Sequence, residues 1–156
     1  MNKILFTLVS VVIFSCSSRS QKSEFKPLFT AITVANIDSS ISWYSEVLNL
    51  KLRNRVDNET RGFKQANLIG DGILIELVEL DKAASLDELL KGQPSGTQAL
   101  GFYKFGLAVR DIDALFQRFS SMSVNFLGRM VKDPADNKKT FIITDPDGNL
   151  IQFIEE

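Results

Sequence analysis

Residues 145–156 read Asp145-Pro146-Asp147-Gly148-Asn149-Leu150-Ile151-Gln152-Phe153-Ile154-Glu155-Glu156, a tight turn feeding a terminal strand. Asp-Pro and Asp-Gly are strong turn dipeptides. Leu150 to Ile154 is a short, mostly apolar run with β-branched and aromatic members, as a strand prefers, with Gln152 as its one polar residue. A second stretch, Gly70–Leu80 (GDGILIELVEL), has the same build. At an offset of 76, Gly72 falls on Gly148, Leu74 on Leu150, Ile75 on Ile151, Glu76 on Gln152 and Glu79 on Glu155. The chain therefore reads as a duplication, and the polar residue inside each of these strands is the first place to look for function.

Working outward, each copy has the order βαβββ. In the first, Phe29–Ala35 is a predicted strand. Asn36 then caps a helix with Ile37, Ile41, Tyr44, Val47 and Leu48 at helical spacing. Leu50–Val56 and Phe63–Leu68 are further strands around a polar hairpin at Asp57–Glu59, and Ile73–Leu80 closes the copy. In the second, Lys104–Val109 is a strand and Asp111 caps a helix whose apolar face is Ile112, Leu115, Phe116, Phe119 and Met122. Asn125–Val131, Thr140–Thr144 and Leu150–Ile154 are its remaining strands. At the front of the copies the offset is 75: Val34 falls on Val109, Asn36 on Asp111 and Phe29 on Lys104. The slip from 75 to 76 requires one inserted residue in the second copy. The connector Asp81–Leu100 carries a short capped helix at Ser85–Leu90 and then a Gly/Pro loop; it is placed to cover a cavity mouth.

A chain of 156 residues fits one domain, or two small modules sharing a core. The net charge of −1 gives no electrostatic reason to expect nucleic acid as a partner. Arg53, Arg55 and Arg61 are interrupted by Asp57 and Glu59 and read as a solvated face. There is no histidine, which removes the commonest general base and the commonest neutral metal ligand. The single cysteine, Cys16, excludes an intramolecular disulfide, a CxxC pair and a thiolate zinc site.

Residues 1–15 read as a signal peptide: Lys3 supplies the positive start and Ile4–Phe14 is an apolar run too short to span a bilayer. Ile13-Phe14-Ser15-Cys16 resembles a bacterial lipoprotein box, in which the chain is cut before a cysteine that is then lipidated. The alternatives are an uncleaved anchor and an ordinary secretory signal with a stray cysteine. Residues 16–27 then form the lipidated cysteine and a polar, flexible tether. The expected location is the bacterial cell envelope, with the protein lipid-anchored on the periplasmic side of the outer membrane.

The stretches Val34–Leu50, Gly72–Leu77 and Asp145–Phe153, in this order and duplicated, resemble the vicinal oxygen chelate superfamily of glyoxalase I, bleomycin-resistance proteins and extradiol dioxygenases. The resemblance covers residues 28–156, with modules at 28–80 and 102–156. It implies an α+β fold of two βαβββ modules whose curled mixed sheets surround a cavity, with helices outside. It also implies four metal-ligand positions, a histidine from the first strand and a glutamate or glutamine from the last strand of each module. Carried over, the histidine positions hold Phe29 and Lys104 and the others hold Glu76 and Gln152. Phenylalanine has no lone pair, and a lysine cation has donors only. No register of the alignment supplies a histidine, so no family-type metal site, cofactor or catalytic residue is expected.

Alternation along the strands puts Glu76 on a face with Leu74 and Val78, Lys104 with Gly106 and Ala108, and Gln152 with Leu150 and Ile154. On such an apolar wall a lone charge is costly, so a Glu76–Lys104 pair bridged by Gln152 is expected; the plainer reading is that these groups plug a filled cavity. Phe29 either stacks on a ligand at the mouth or is an ordinary core aromatic. Three functions compete. The favoured one is a metal-free envelope lipoprotein that binds a small, partly apolar molecule between the modules. The others are a glyoxalase-like lyase, isomerase or dioxygenase with a degenerate site, and an envelope interaction module without a small ligand. The resemblance also implies pairing into a homodimer, for which the chain gives no independent signal.

Overall fold

The computed structural model describes residues 24–156. The segment read as a signal peptide, the box at Cys16 and most of the expected tether lie outside the described residues. Among those described, no helix is long and apolar enough to cross a membrane.

Two mixed sheets carry the fold, and neither is closed. The first has the order β1-β4-β3-β2, from Thr30–Thr33 (β1), Lys51–Asn58 (β2), Phe63–Gly70 (β3) and Ile73–Leu80 (β4). The second runs β5-β9-β8-β6, from Lys104–Val109 (β5), Asn125–Phe126 (β6), Lys139–Thr144 (β8) and Leu150–Glu155 (β9), with Val131–Lys132 (β7) paired to β8. Helices α1 (Ile37–Val47) and α3 (Ile112–Ser120) follow the first strand of each module. The short α2 (Leu86–Leu89) lies in the connector, closed by a capping box between Ser85 and Glu88.

The expected N-caps form: the side chains of Asn36 and Asp111 accept from Ser39 N and Ala114 N, at 2.9 Å each. These bonds satisfy donors a helix start leaves orphaned. One face of each sheet is sealed by its helix. Ile32, Val34, Ala66, Leu68, Ile75 and Leu77 are buried with α1, and Phe141, Ile143, Ile151 and Phe153 with α3, in one continuous core. Burying each such large side chain is worth about 1.5–3 kcal/mol, so these faces fix the strand registers.

The duplication is visible in the ladders. Ala31 pairs with Glu76 as Gly106 pairs with Gln152, and Ile32 with Leu77 as Leu107 with Phe153. The inserted residue lies in the Asp145–Asn149 turn. Ile69 and Leu74 flank a tight Asp71-Gly72 hairpin, both residues at positive φ (45° and 80°), whereas their equivalents Thr144 and Leu150 enclose one residue more.

Three local expectations are revised. Asn125–Val131 is not one strand but two, β6 and β7, separated around Gly128, whose φ of 82° breaks the ladder. The hairpin after β2 contains a 3-10 turn at Glu59–Arg61. Arg55 is not merely solvated: it holds Asp57 with two bonds (2.7 and 2.9 Å) and also pairs with Asp38 at the start of α1.

Candidate functional site

The edge strands β1 and β5 of the two modules border one cavity. This seam cavity, of about 250 Å³, is lined by Ala31, Ile32 and Thr33 from β1, Phe102, Tyr103 and Phe105, and Asn149 and Leu150 at the start of β9. Six of the eight lining residues are aromatic or aliphatic, Thr33 and Asn149 bring polar side chains, and the lining surface as a whole is about evenly polar and apolar. An apolar cavity of about 150 Å³ already accepts benzene, so this one has room for a single ring with a short substituent.

The floor is fixed by a bond network that crosses between modules. Asp145 is 2% exposed, yet its carboxylate accepts four hydrogen bonds. Oδ1 takes the backbone N–H groups of Asp147 (3.0 Å) and Asn149 (2.8 Å). Oδ2 takes the Asn149 side chain and the Tyr44 hydroxyl of α1, both at 2.9 Å. Burial, then the charge of Asp145 and its hydrogen bond, push the Tyr44 phenol far above its ordinary range. Asp147 Oδ2 accepts from Ala35 N at 3.2 Å, and Arg118 of α3 donates to Val47 O at 3.0 Å. Asn149, a cavity wall residue, is thus positioned by Asp145, which Tyr44 of the other module also holds. In the sequence Asp145 is only a turn former; its place five residues before a duplicated strand gave no hint of Tyr44.

The four carried-over positions stand around this seam rather than in its lining. Phe29 precedes β1 and is 51% exposed, so it is not a core aromatic. Glu76 lies mid-β4, half-buried, opposite Ala31 and Asn67, and accepts a short hydrogen bond from Gln65 Nε2. Lys104 opens β5 opposite Leu150, with Nζ 5.7 Å from the centre of the Tyr103 ring. Gln152 donates to Thr140 Oγ1 at 2.8 Å, and that hydroxyl donates to Phe153 O. The expected Glu76–Lys104 pair bridged by Gln152 does not form: Glu76 accepts from Gln65, Lys104 lies over the Tyr103 ring and Gln152 donates to Thr140. The Gln65 amide takes only one Glu76 oxygen, and the carboxylate meets no cation among the described residues.

The donor set does not fit the metal that this scaffold implies. Phe29 offers nothing and Lys104 is a cation, so of the four positions only the Glu76 carboxylate and the Gln152 carbonyl oxygen, whose amide nitrogen is on Thr140, could donate to a metal. Among the described residues no three His, Cys, Asp or Glu side chains group closely enough to hold a metal ion.

Two duplicated βαβββ modules with a seam between their first strands define a glyoxalase-type scaffold. The chain belongs to the Glyoxalase/Bleomycin resistance protein/Dioxygenase superfamily, whose family pattern it matches over residues 26–153. It is 30% identical over 129 residues to the uncharacterized protein YwbC of Bacillus subtilis (strain 168), covering 81% of this chain and 94% of that protein. Its fold is similar to a glyoxalase family protein from Enterococcus faecalis, with a TM-score of 0.72 and 20% identity over 84% of this chain and 98% of that one. It is also similar to a glyoxylase/bleomycin resistance protein/dioxygenase domain from Frankia sp. EAN1pec (TM-score 0.67, 20% identity, 85% and 98% covered). Glyoxalase I from Zea mays gives a TM-score of 0.65 at 19% identity; the match takes in 83% of this chain but 44% of that one. At these identities the structures speak for the fold alone.

Proposed function

We propose that the protein is a metal-free binding protein of the bacterial envelope that takes a small, partly apolar molecule at the seam between its modules. The observation that carries this reading is the aromatic cavity of about 250 Å³ beside ligand positions whose residues cannot hold the family metal. A concave, mostly apolar site with a few placed polar groups is the usual form of a small-molecule site. Phe102 and Tyr103 are 75% and 61% exposed, an unfavourable display of aromatic surface that a ligand would cover.

Titration calorimetry with neutral single-ring aromatic compounds tests the reading. Saturable binding is expected, weakened about tenfold or more by Phe102→Ala together with Tyr103→Ala; both side chains are outside the core, so the fold survives. No binding, together with stoichiometric metal and turnover of methylglyoxal–thiol adducts, would instead establish a lyase of the family type. The envelope location rests on the Ile13–Cys16 box and the polar tether. Labelling of cells with a palmitate probe is expected to mark the wild-type protein and not Cys16→Ser; an unlabelled wild-type protein would exclude a lipid anchor.

A further inference from the structure

The open face of the first sheet carries a polar row that the cavity reading does not use. Opposite positions run Ala31, Glu76, Asn67 and Asn54 across β1, β4, β3 and β2. Gln65 lies two residues along β3 and donates to Glu76 Oε2. A carboxylate only accepts, so the Gln65 amide nitrogen must face it, which turns Gln65 Oε1 away. Asn67 donates to Asn54 at 2.8 Å, leaving its own carbonyl oxygen unused. Glu76 Oε1, Gln65 Oε1 and Asn67 Oδ1 therefore meet no donor among the described residues, and Glu76 meets no cation there.

Three unused acceptors, one of them charged, match an ammonium group, which has three donors and no acceptor. Leu74 and Val78 stand on either side of Glu76 along the same face, offering apolar contact to a carbon chain. The row begins at Ala31, which is also a wall of the seam cavity. Adjacent strands are about 4.8 Å apart, so the Glu76 carboxylate stands one strand from the cavity wall, with only the small Ala31 side chain opposite it in the ladder. The competing charge is Lys104, but its ammonium already rests on the Tyr103 ring within cation–π range. The charge still without a counterpart is negative.

We propose that the seam cavity and the Glu76–Gln65–Asn67 acceptors form one site for a small aryl-alkyl ammonium ion, its ring among Phe102, Tyr103 and Phe105 and its nitrogen on Glu76. This deepens the reading above and rests on it for the ring. The test is calorimetric titration with phenethylammonium chloride, phenethyl alcohol and hydrocinnamate, three probes with one ring and different heads. The ammonium ion should bind about tenfold or more tighter than the alcohol, and hydrocinnamate should bind worst. Glu76→Gln should bring the ammonium down to about the affinity of the alcohol and change the alcohol far less. Asn67→Leu, an independent variant, should cost the ammonium severalfold and the alcohol less. Equal binding of ammonium and alcohol, or a preference that survives Glu76→Gln, overturns the ammonium site while leaving the cavity reading intact. A preference for hydrocinnamate also overturns it and makes Lys104 the anchor. Binding of none of the three sinks the cavity reading and the ammonium site together.

Discussion

Glu79 stands between a cation and a helix start. One oxygen accepts from Lys64 Nζ and the other from Ile37 N, each at 2.6 Å. The lysine bond first, and the backbone N–H second, hold the carboxyl below the ordinary glutamate range. Its folded pKa is thus lower than its unfolded one, so its contribution to stability is present above the unfolded value of about 4.3 and is lost as pH falls through the folded value. Asp147 has the opposite sign: burial, the leading cause, raises its carboxyl, so acid relieves a cost there. Lys64 is 37% exposed at the side chain, which limits what the pair contributes through solvent screening. Urea melts at about pH 6 and pH 3 should show a loss of stability in acid that Glu79→Gln makes smaller. A loss of the same size in the variant would mean that the carboxyl does not titrate as its partners imply.

At the scale of elements, what the residues announced was what local alternation and caps control. The bounds of β4 and β5 follow from the apolar runs Ile73–Leu80 and Lys104–Val109, and α1 and α3 begin at the residues after Asn36 and Asp111. The duplication fixed which residues share a face, and the matched ladder registers bear that out. Hidden from the sequence was which neighbour each polar side chain would choose. Glu76 takes Gln65 because β3 runs antiparallel to β4 with Gln65 on the same face, whereas Lys104 belongs to another sheet across an unpaired seam. Strand register can be read from a pattern of apolar residues, but the distance between two sheets cannot. Phe29 shows the same limit. Its position relative to the duplicate was legible, but β1 starts only at Thr30 and leaves the ring exposed. The break between β6 and β7 was missed because Gly128 at positive φ interrupts an otherwise strand-like run.

At the scale of the molecule, neither module is built to stand alone. Each has only about fifty residues, a size at which too little surface is buried for secure stability. Their cores are continuous, and Tyr44 and Arg118 each carry a hydrogen bond across to the other module. Trp43 is the only tryptophan, lies in the first module, and has its ring 4.9 Å from that of Tyr44. Its fluorescence therefore reports the first module, whereas far-UV circular dichroism reports both sheets. The two probes should follow one coincident transition in urea, as a two-state unit does. Tyr44→Phe removes a donor from the buried Asp145 carboxylate and should shift both curves together by about 1–3 kcal/mol. Should fluorescence fall at lower urea than circular dichroism, or should Tyr44→Phe move only the fluorescence curve, the modules would be independent folding units. The seam between them, and any site that depends on it, would then be free to open without unfolding either half.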